Sequence, residues 1–297
     1  MSQRRGRLTV AAYRAATRIA QWLPEASLSS VGRLGGRMGG YAQPARRRMA
    51  ARHQRRVSGR TDQRVVDEVF EWYGRWWLEV LRMPYDIQQP GVVSDNFDIL
   101  GYANILDGLA RGNGVILALP HLGGWEWAAA WMAEQGHDMV AVVEQLEPPE
   151  LLEWFQRQRV AMGLEMVVLG DDASKVVLGA LRANRIVCLL ADRDITGDGV
   201  EVEFFGERTT LPSGPAMLAL RTGAAILPVG VYFGPERQHQ AIVRPALSTE
   251  RRERLRSDIA RITQCLAYEF ETLIRAQPEQ WHLLQPNWPS DRNSGRV

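Results

Sequence analysis

An α/β fold, with a mostly parallel central sheet flanked by helices and an N-terminal helical part ahead of it, is predicted by three observations. Compact apolar runs alternate with helical patterns from about residue 115 onward, and parallel neighbours need such crossovers. The front of the chain shows helical spacing alone. With 297 residues, 45% of them apolar, and no internal repeat, the chain can bury a substantial core.

The elements follow in order. Leu8, Val10, Ala11, Ala12, Tyr13, Ala15, Ala16, Ile19, Trp22 and Leu23, interrupted by Arg14 and Arg18, read as a helix with a basic stripe that Pro24 ends. Thr61 to Arg82 places Val65, Val66, Val69, Phe70, Trp72, Tyr73, Trp76, Trp77, Val80 and Leu81 around most of a helix, which is therefore expected to be buried or to face lipid; Pro84 should end it. Asn96 to Arg111 reads as a short helix. Strands are expected at Val115 to Pro120, Met139 to Val143, Met166 to Leu169, Ile186 to Ala191, Ile226 to Phe233 and Ala241 to Val243. Helices are expected at Trp127 to Gln135, Pro149 to Met162, Ser174 to Ala183, Gly214 to Thr222 and Arg251 to Ala276. The simplest partition is one domain over 1–297, with a helical subdomain at 1–84 and an α/β core at 85–297.

The formal net charge of +2 excludes a uniformly basic nucleic-acid binder, and no nucleic-acid motif is present. The distribution is uneven, however. Residues 1–60 hold 14 arginines and one acid, Glu25, and so carry +13, leaving an acidic remainder. An Arg-bearing amphipathic helix with a Trp near its end suits the headgroups of an anionic membrane, and the cluster from Arg46 to Arg60 adds attraction. A solvated helix face is the alternative. No window reaches the 18 or so apolar residues of a spanning helix, so a peripheral chain without a transmembrane helix is expected. The two cysteines, Cys188 and Cys265, imply neither a disulfide framework nor a zinc site.

In parallel sheets, functional groups gather at the carboxyl ends of strands. The run Val115 to Pro120 leads directly into His121-Leu-Gly-Gly-Trp-Glu126. Two glycines allow a sharp turn, after which Glu126 in the first helical turn can fold back onto His121. A carboxylate on one imidazole nitrogen fixes the tautomer while the other nitrogen accepts a proton, which makes a general-base dyad. The competing readings are a zincin, for which the second histidine is missing, a serine hydrolase using Ser213, whose flanks are wrong, and a structural histidine.

His121 and Glu126 in an H-x4-D/E arrangement resemble the motif of the glycerolipid and lipid A acyltransferase superfamily. The blocks Leu190 to Glu207 and Leu211 to Val229, and the ending Gln277 to Trp281 followed by Trp288, are similar to the bacterial lipid A biosynthesis acyltransferase family, over roughly residues 100–290. Within that family the chain is most similar to the actinobacterial branch acting on phosphatidylinositol mannosides, and its arginine-rich composition with Lys175 as sole lysine fits a GC-rich genome. The resemblance implies transfer of a long acyl chain, palmitoyl by preference, from acyl-CoA to the 6-hydroxyl of the mannose at inositol position 2. It implies a peripheral location on the cytoplasmic face of the plasma membrane, and no cofactor or metal beyond acyl-CoA as co-substrate.

On this reading His121 is the base, Glu126 orients it, and the N–H groups of Gly123, Gly124 and Trp125 are oxyanion donors. Glu144 and Arg159 line the site as an acid and a base, with a structural ion pair as the alternative. Asp192, Arg193 and Asp194 form a turn after a strand, with Arg193 towards donor phosphates and a carboxylate towards mannose. Either Asp192 or Glu201 is the additional carboxylate near His121; if Val200 and Val202 face the core, Glu201 and Glu203 face away from it. Trp125, Trp127, Trp131 and Phe70 to Trp77 supply apolar material for the chain. The superfamily's glycerol-phosphate branch carries F-P-E-G-T/S-R, which this sequence lacks, and that speaks against a glycerol-phosphate acceptor. A membrane-associated lipid hydrolase and a non-catalytic lipid-binding protein stay open as other functions.

Overall fold

The computed structural model describes residues 2–144, 156, 159, 163–170 and 172–292, with side chains from residue 9 onward. Four helices lead: α1 (Ser2–Trp22), α2 (Glu25–Tyr41), α3 (Pro44–Ser58) and α4 (Gln63–Asp86). The apolar spacing anticipates α1 and α4 but not α2, whose inner face carries glycine in place of large apolar residues. A Cβ on Gly36 would stand 2.1 Å from the Phe70 carbonyl oxygen, and one on Gly74 of α4 would stand 2.3 Å from the Gly32 carbonyl oxygen. The two backbones therefore touch where side chains would ordinarily intervene. Asp62 caps α4 by accepting from the Val65 N–H at 3.1 Å. Pro84 lies within the last turn of α4 and does not end it, since the helix runs on to Asp86.

Then follow α5 (Val92–Asp95), β1 (Phe97–Leu100), α6 (Tyr102–Ala110), β2 (Val115–Leu119), α7 (Trp125–Glu134), β3 (Met139–Val143) and β4 (Leu164–Val168). After them come α8 (Ala173–Arg182), β5 (Ile186–Leu190), β6 (Val200–Phe204), β7 (Glu207–Leu211), α9 (Gly214–Thr222), β8 (Ala225–Phe233), β9 (His239–Val243) and α10 (Leu255–Ala276). The expected helix from Asn96 is instead strand β1, a turn at Gly101 (φ 80°) and the shorter α6. Its cause is tertiary: Phe97–Leu100 pairs in parallel with His239–Ile242, a partner that local periodicity does not contain. The expected helix at 149–162 lies outside the described residues, apart from Gln156 and Arg159.

Among the described residues seven strands form one sheet in the order β1-β9-β8-β2-β5-β3-β4, parallel at every pair except β8–β9. The wholly buried β2 and β8 lie at its centre. One face packs around Val177, Leu181, Leu266, Phe270 and Trp281, the other around Ile105, Trp127 and Met132, giving three layers. Strands β6 and β7 form a separate antiparallel ribbon against α10.

Buried charges dock α4 onto the sheet. Arg75 Nε donates to Glu79 Oε1 at 2.7 Å, and the other oxygen of Glu79 meets His239 Nε2 at 2.7 Å. Arg75 also donates to the Gly234 carbonyl at 2.7 Å. Such groups are costly to desolvate and are satisfied only in one register, so they specify where the helical part sits. No helix among the described residues is long and apolar enough to cross a membrane.

Candidate active site

Leu119 and Leu190 are register partners in the parallel pair β2–β5. Two residues beyond each, at the carboxyl ends, stand His121 and Asp192. The Nδ1 of His121 lies 2.6 Å from Asp192 Oδ1, and the backbone N–H of His121 donates to Oδ2 at 2.9 Å. Asp192 is wholly buried, whereas the His121 side chain keeps a third of its surface open. With Nδ1 facing an ionised carboxylate, Nε2 is the basic nitrogen.

Burial pulls the His121 imidazole down, yet the charge and hydrogen bond of Asp192, with help from Glu144 and against Arg193, hold it above the ordinary histidine value. Burial likewise opposes ionisation of Asp192, but His121 and the donors on its carboxylate bring it below the usual range. Trp281 Nε1 donates to Asp192 Oδ2 at 2.8 Å, and Asn287 Nδ2 donates to its carbonyl at 3.0 Å. The carboxylate on the histidine is therefore Asp192.

Glu126, the expected orienting group, faces elsewhere. It is buried at the start of α7, accepts from Trp76 Nε1 at 2.9 Å, and pairs with Arg159 at 3.1 Å. Burial raises its pKa against the opposing pull of Arg159 and Trp76. Gly123 turns the chain at φ 61°, and α7 begins two residues later with Glu126 in its first turn, committed to Trp76 and Arg159. Arg159 also lies 4.9 Å over the Trp125 ring, so Glu126 fixes an arginine and an indole rather than His121.

Glu144 follows β3 and is paired with Arg193 at 3.3 Å, both partly exposed, while Arg159 belongs to Glu126. The expected partner of Glu144 is thus exchanged, although Glu144 and Arg193 both act electrostatically on His121. Asp194 is folded into its own loop: it accepts from Thr210 Oγ1 at 2.8 Å and from the Gly197 and Gly199 N–H groups at 2.8 and 3.0 Å. Those bonds hold its pKa down despite partial burial. Glu201 stands on the outer face of the β6–β7 ribbon beside an equally exposed Arg208, at 3.3 Å, with Val202 turned inward as the alternation requires. The ribbon's face, then, keeps Glu201 off His121 and leaves Asp192 as the neighbouring carboxylate.

Sequence reasoning missed the closing segment. The His282 N–H donates to the His121 carbonyl at 2.7 Å and the Gly123 N–H donates to the Gln280 carbonyl at 3.1 Å, with Leu122 and Trp281 paired between them. That commits the Gly123 N–H and leaves Gly124 and Trp125 as the oxyanion candidates. The His282 ring packs against Tyr73, Trp76 and Phe233, and burial together with His121 pushes its pKa down to about 3, so it is neutral across the working range. Sequence alone offered one signal, the histidine after the tryptophan of the ending motif. Ser213 precedes α9 without a side-chain cap bond, and no described hydrogen bond joins it to a histidine. Among the described residues no cluster of His, Cys, Asp and Glu has the makings of a metal site.

Behind Trp125 an apolar cavity opens between the sheet and α7, lined by Leu119, Met132, Met139, Cys188 and Val229 among others. Burial there raises the Cys188 thiol to about 12, which keeps it an inert wall. Trp127 takes no part in this lining; it stacks on His239 with ring centroids 4.4 Å apart.

At a strand's carboxyl end, then, stands a partly open histidine bonded to a buried carboxylate, beside a helix N-terminus and a small apolar cavity. Residues 4–290 match the model of the bacterial lipid A biosynthesis acyltransferase family, and the chain belongs to that family. It is an O-acyltransferase. The chain is 34% identical over 302 residues to the phosphatidylinositol mannoside acyltransferase of Mycolicibacterium smegmatis, covering 98% of this chain and 95% of that relative. It is 41% identical over 230 residues to the protein of the same name from Mycobacterium tuberculosis strain H37Rv, covering 76% of this chain and 71% of that one.

Proposed function

We propose that this acyltransferase moves a long acyl chain, palmitoyl by preference, from acyl-CoA to the 6-hydroxyl of the mannose at inositol position 2 of a phosphatidylinositol mannoside, on an anionic membrane surface at the cytoplasmic face. The observation that carries the reading is the tie of His121 Nδ1 to buried Asp192 with a third of the side chain open. The mannose hydroxyl gives its proton to His121 Nε2 as its oxygen attacks the thioester carbon. The tetrahedral oxyanion is met by the Gly124 and Trp125 N–H groups, and on collapse the C–S bond breaks and the CoA sulfur takes the proton back from His121. No acyl-enzyme is needed.

The remaining groups have separate tasks in this proposal. Arg193 and Glu144 release each other to bind substrate, the arginine taking donor phosphate and the carboxylate taking mannose hydroxyls. Arg159, held by Glu126, adds positive charge, and neutral His282 offers a further hydrogen bond to the acceptor. The apolar cavity behind Trp125, about 30 Å³ in volume, marks the place where the sheet and α7 would part to admit the acyl chain. Support for the acceptor comes from the names of the two mycobacterial relatives.

The test is transfer of labelled palmitate from palmitoyl-CoA to purified phosphatidylinositol mannosides on vesicles. Wild type should form the acylated mannoside, and His121→Ala, folded to the same melting temperature, should lose about 10²-fold to 10⁴-fold in rate. No transfer by folded wild type bound to those vesicles would overturn the acceptor.

A further inference from the structure

Helix α2 has its two faces reversed relative to an ordinary surface helix. At 100° per residue, Gly32, Gly36 and Gly40 fall on one side and Val31, Leu34, Met38 and Tyr41 on the side roughly opposite. The glycine side is pressed onto α4 at backbone contact distance. The apolar side points outward: Leu34 and Met38 are each 64% exposed and Val31 is exposed as well, while Tyr41 at the stripe's end is exposed but tied back by its hydroxyl, which donates to Asp67 at 3.2 Å. A helix packed on its neighbour through glycine, with its large apolar side chains facing out, is built for an apolar environment on its outer side.

The charges around the stripe say which environment. Arg14 and Arg18 of α1 and Arg46 and Arg48 of α3 are exposed on the neighbouring helices, and α1 ends in Trp22, 88% exposed. Glu25, the sole acid of the first 60 residues, is engaged by Arg237 at 3.0 Å. Helix α3, packed beside α2, and the exposed face of α1, packed on α4, thus present cations, the pattern that an anionic lipid surface complements and that a second, equally cationic copy would repel.

We infer that the outward stripe Val31, Leu34, Met38 and Tyr41 of α2, with Trp22 beside its start, is the surface that inserts into an anionic bilayer. The sequence had placed the lipid contact on the basic stripe of α1; here the arginines of α1 and α3 supply attraction while α2 supplies the apolar contact. The inference rests on the reading that the acceptor is a membrane glycolipid, but its test does not use the reaction.

The probe is a set of vesicles of phosphatidylglycerol and phosphatidylcholine containing neither acyl-CoA nor acceptor. Leu34→Glu with Met38→Glu should lower partition by about tenfold or more, two apolar contacts being lost. Leu34→Ser with Met38→Ser should lower it less, and both variants should keep the wild-type melting temperature. Arg46→Ser with Arg48→Ser should weaken binding to phosphatidylglycerol vesicles and leave the weak binding to pure phosphatidylcholine unchanged. Unchanged partition of the folded serine variant and the folded glutamate variant would overturn the inference. So would light scattering that shows a lipid-free wild-type dimer which the variants dissociate without altering partition, since the stripe would then belong to a second copy. Loss of mannoside transfer with partition intact would count against the proposed reaction and leave this surface standing.

Discussion

At the residue scale, His121 depends on two opposed influences, and their removal can be read separately. Because Asp192 more than offsets burial, kcat/KM should rise with pH as the imidazole loses its proton, with a midpoint above the ordinary 6.5. In Asp192→Asn the burial remains and the attraction goes, so the midpoint should fall below that value and the rate by about 10²-fold or more, the ring having lost its orienting partner. Trp281→Phe keeps most of the core volume but takes a hydrogen bond from Asp192, so the carboxylate becomes more basic and the midpoint should shift upward. Glu126→Gln should do neither: it removes the charge that Glu126 sets against Arg159, lowering turnover while the pH midpoint stays put, and coincident midpoints in a pH series would show it. The motif spacing drew attention to His121 and to a carboxylate that does not touch it. Five positions of separation is proximity along the chain, whereas Asp192 reaches His121 through strand pairing, which the sequence records only as two separate apolar runs.

Elements were legible where their residues satisfied themselves locally. The buried strands β2, β3, β5 and β8 announced themselves as apolar runs, and α9 as a helix with proline at its start and glycine past its end. Strand β1 did not, because its partner is β9, and neither did α2, because a helix that buries glycine has no hydrophobic period to display. The glycine contact makes a sharp pair of predictions for thermal melts. Gly36→Ala, whose Cβ would meet the Phe70 carbonyl, should cost about 2 kcal/mol or more. Gly35→Ala, one residue away with nothing within 4 Å, should stabilise by about 0.5–1 kcal/mol through helix propensity alone. Equal effects at the two positions would mean that α2 does not pack on α4 through its glycines.

For the molecule as a whole, the site is a meeting point of distant segments. Helix α3 is bound to the closing segment by His53, whose ring meets the Leu283 carbonyl at 2.9 Å and Asp291 at 3.3 Å. Although burial opposes it, bonds from His53 and from the Asn287 and Trp288 N–H groups hold the Asp291 carboxyl well below the usual carboxylate range. A depressed folded pKa gives stability that is fully present above the unfolded value near 3.8 and is lost as pH falls towards the folded one. Asp291→Asn should therefore lower the melting temperature at neutral pH and flatten its fall in acid. The sheet and its helical flanks could be read from the sequence because burial is written in composition and period, but the lacing of Gln280 to His282 onto His121 to Gly123 could not, since nothing local marks two irregular segments as partners. That lacing sets an order of birth for the enzyme. A ribosome makes His121 early and Asp192 later, but the tryptophan that steadies the pair and the segment that clasps it are synthesised more than 80 residues after Asp192. A nascent chain can assemble much of its sheet while still tethered, yet it has no held base until residues 280–288 emerge, so a product stopped short of them would be folded in part and catalytically silent.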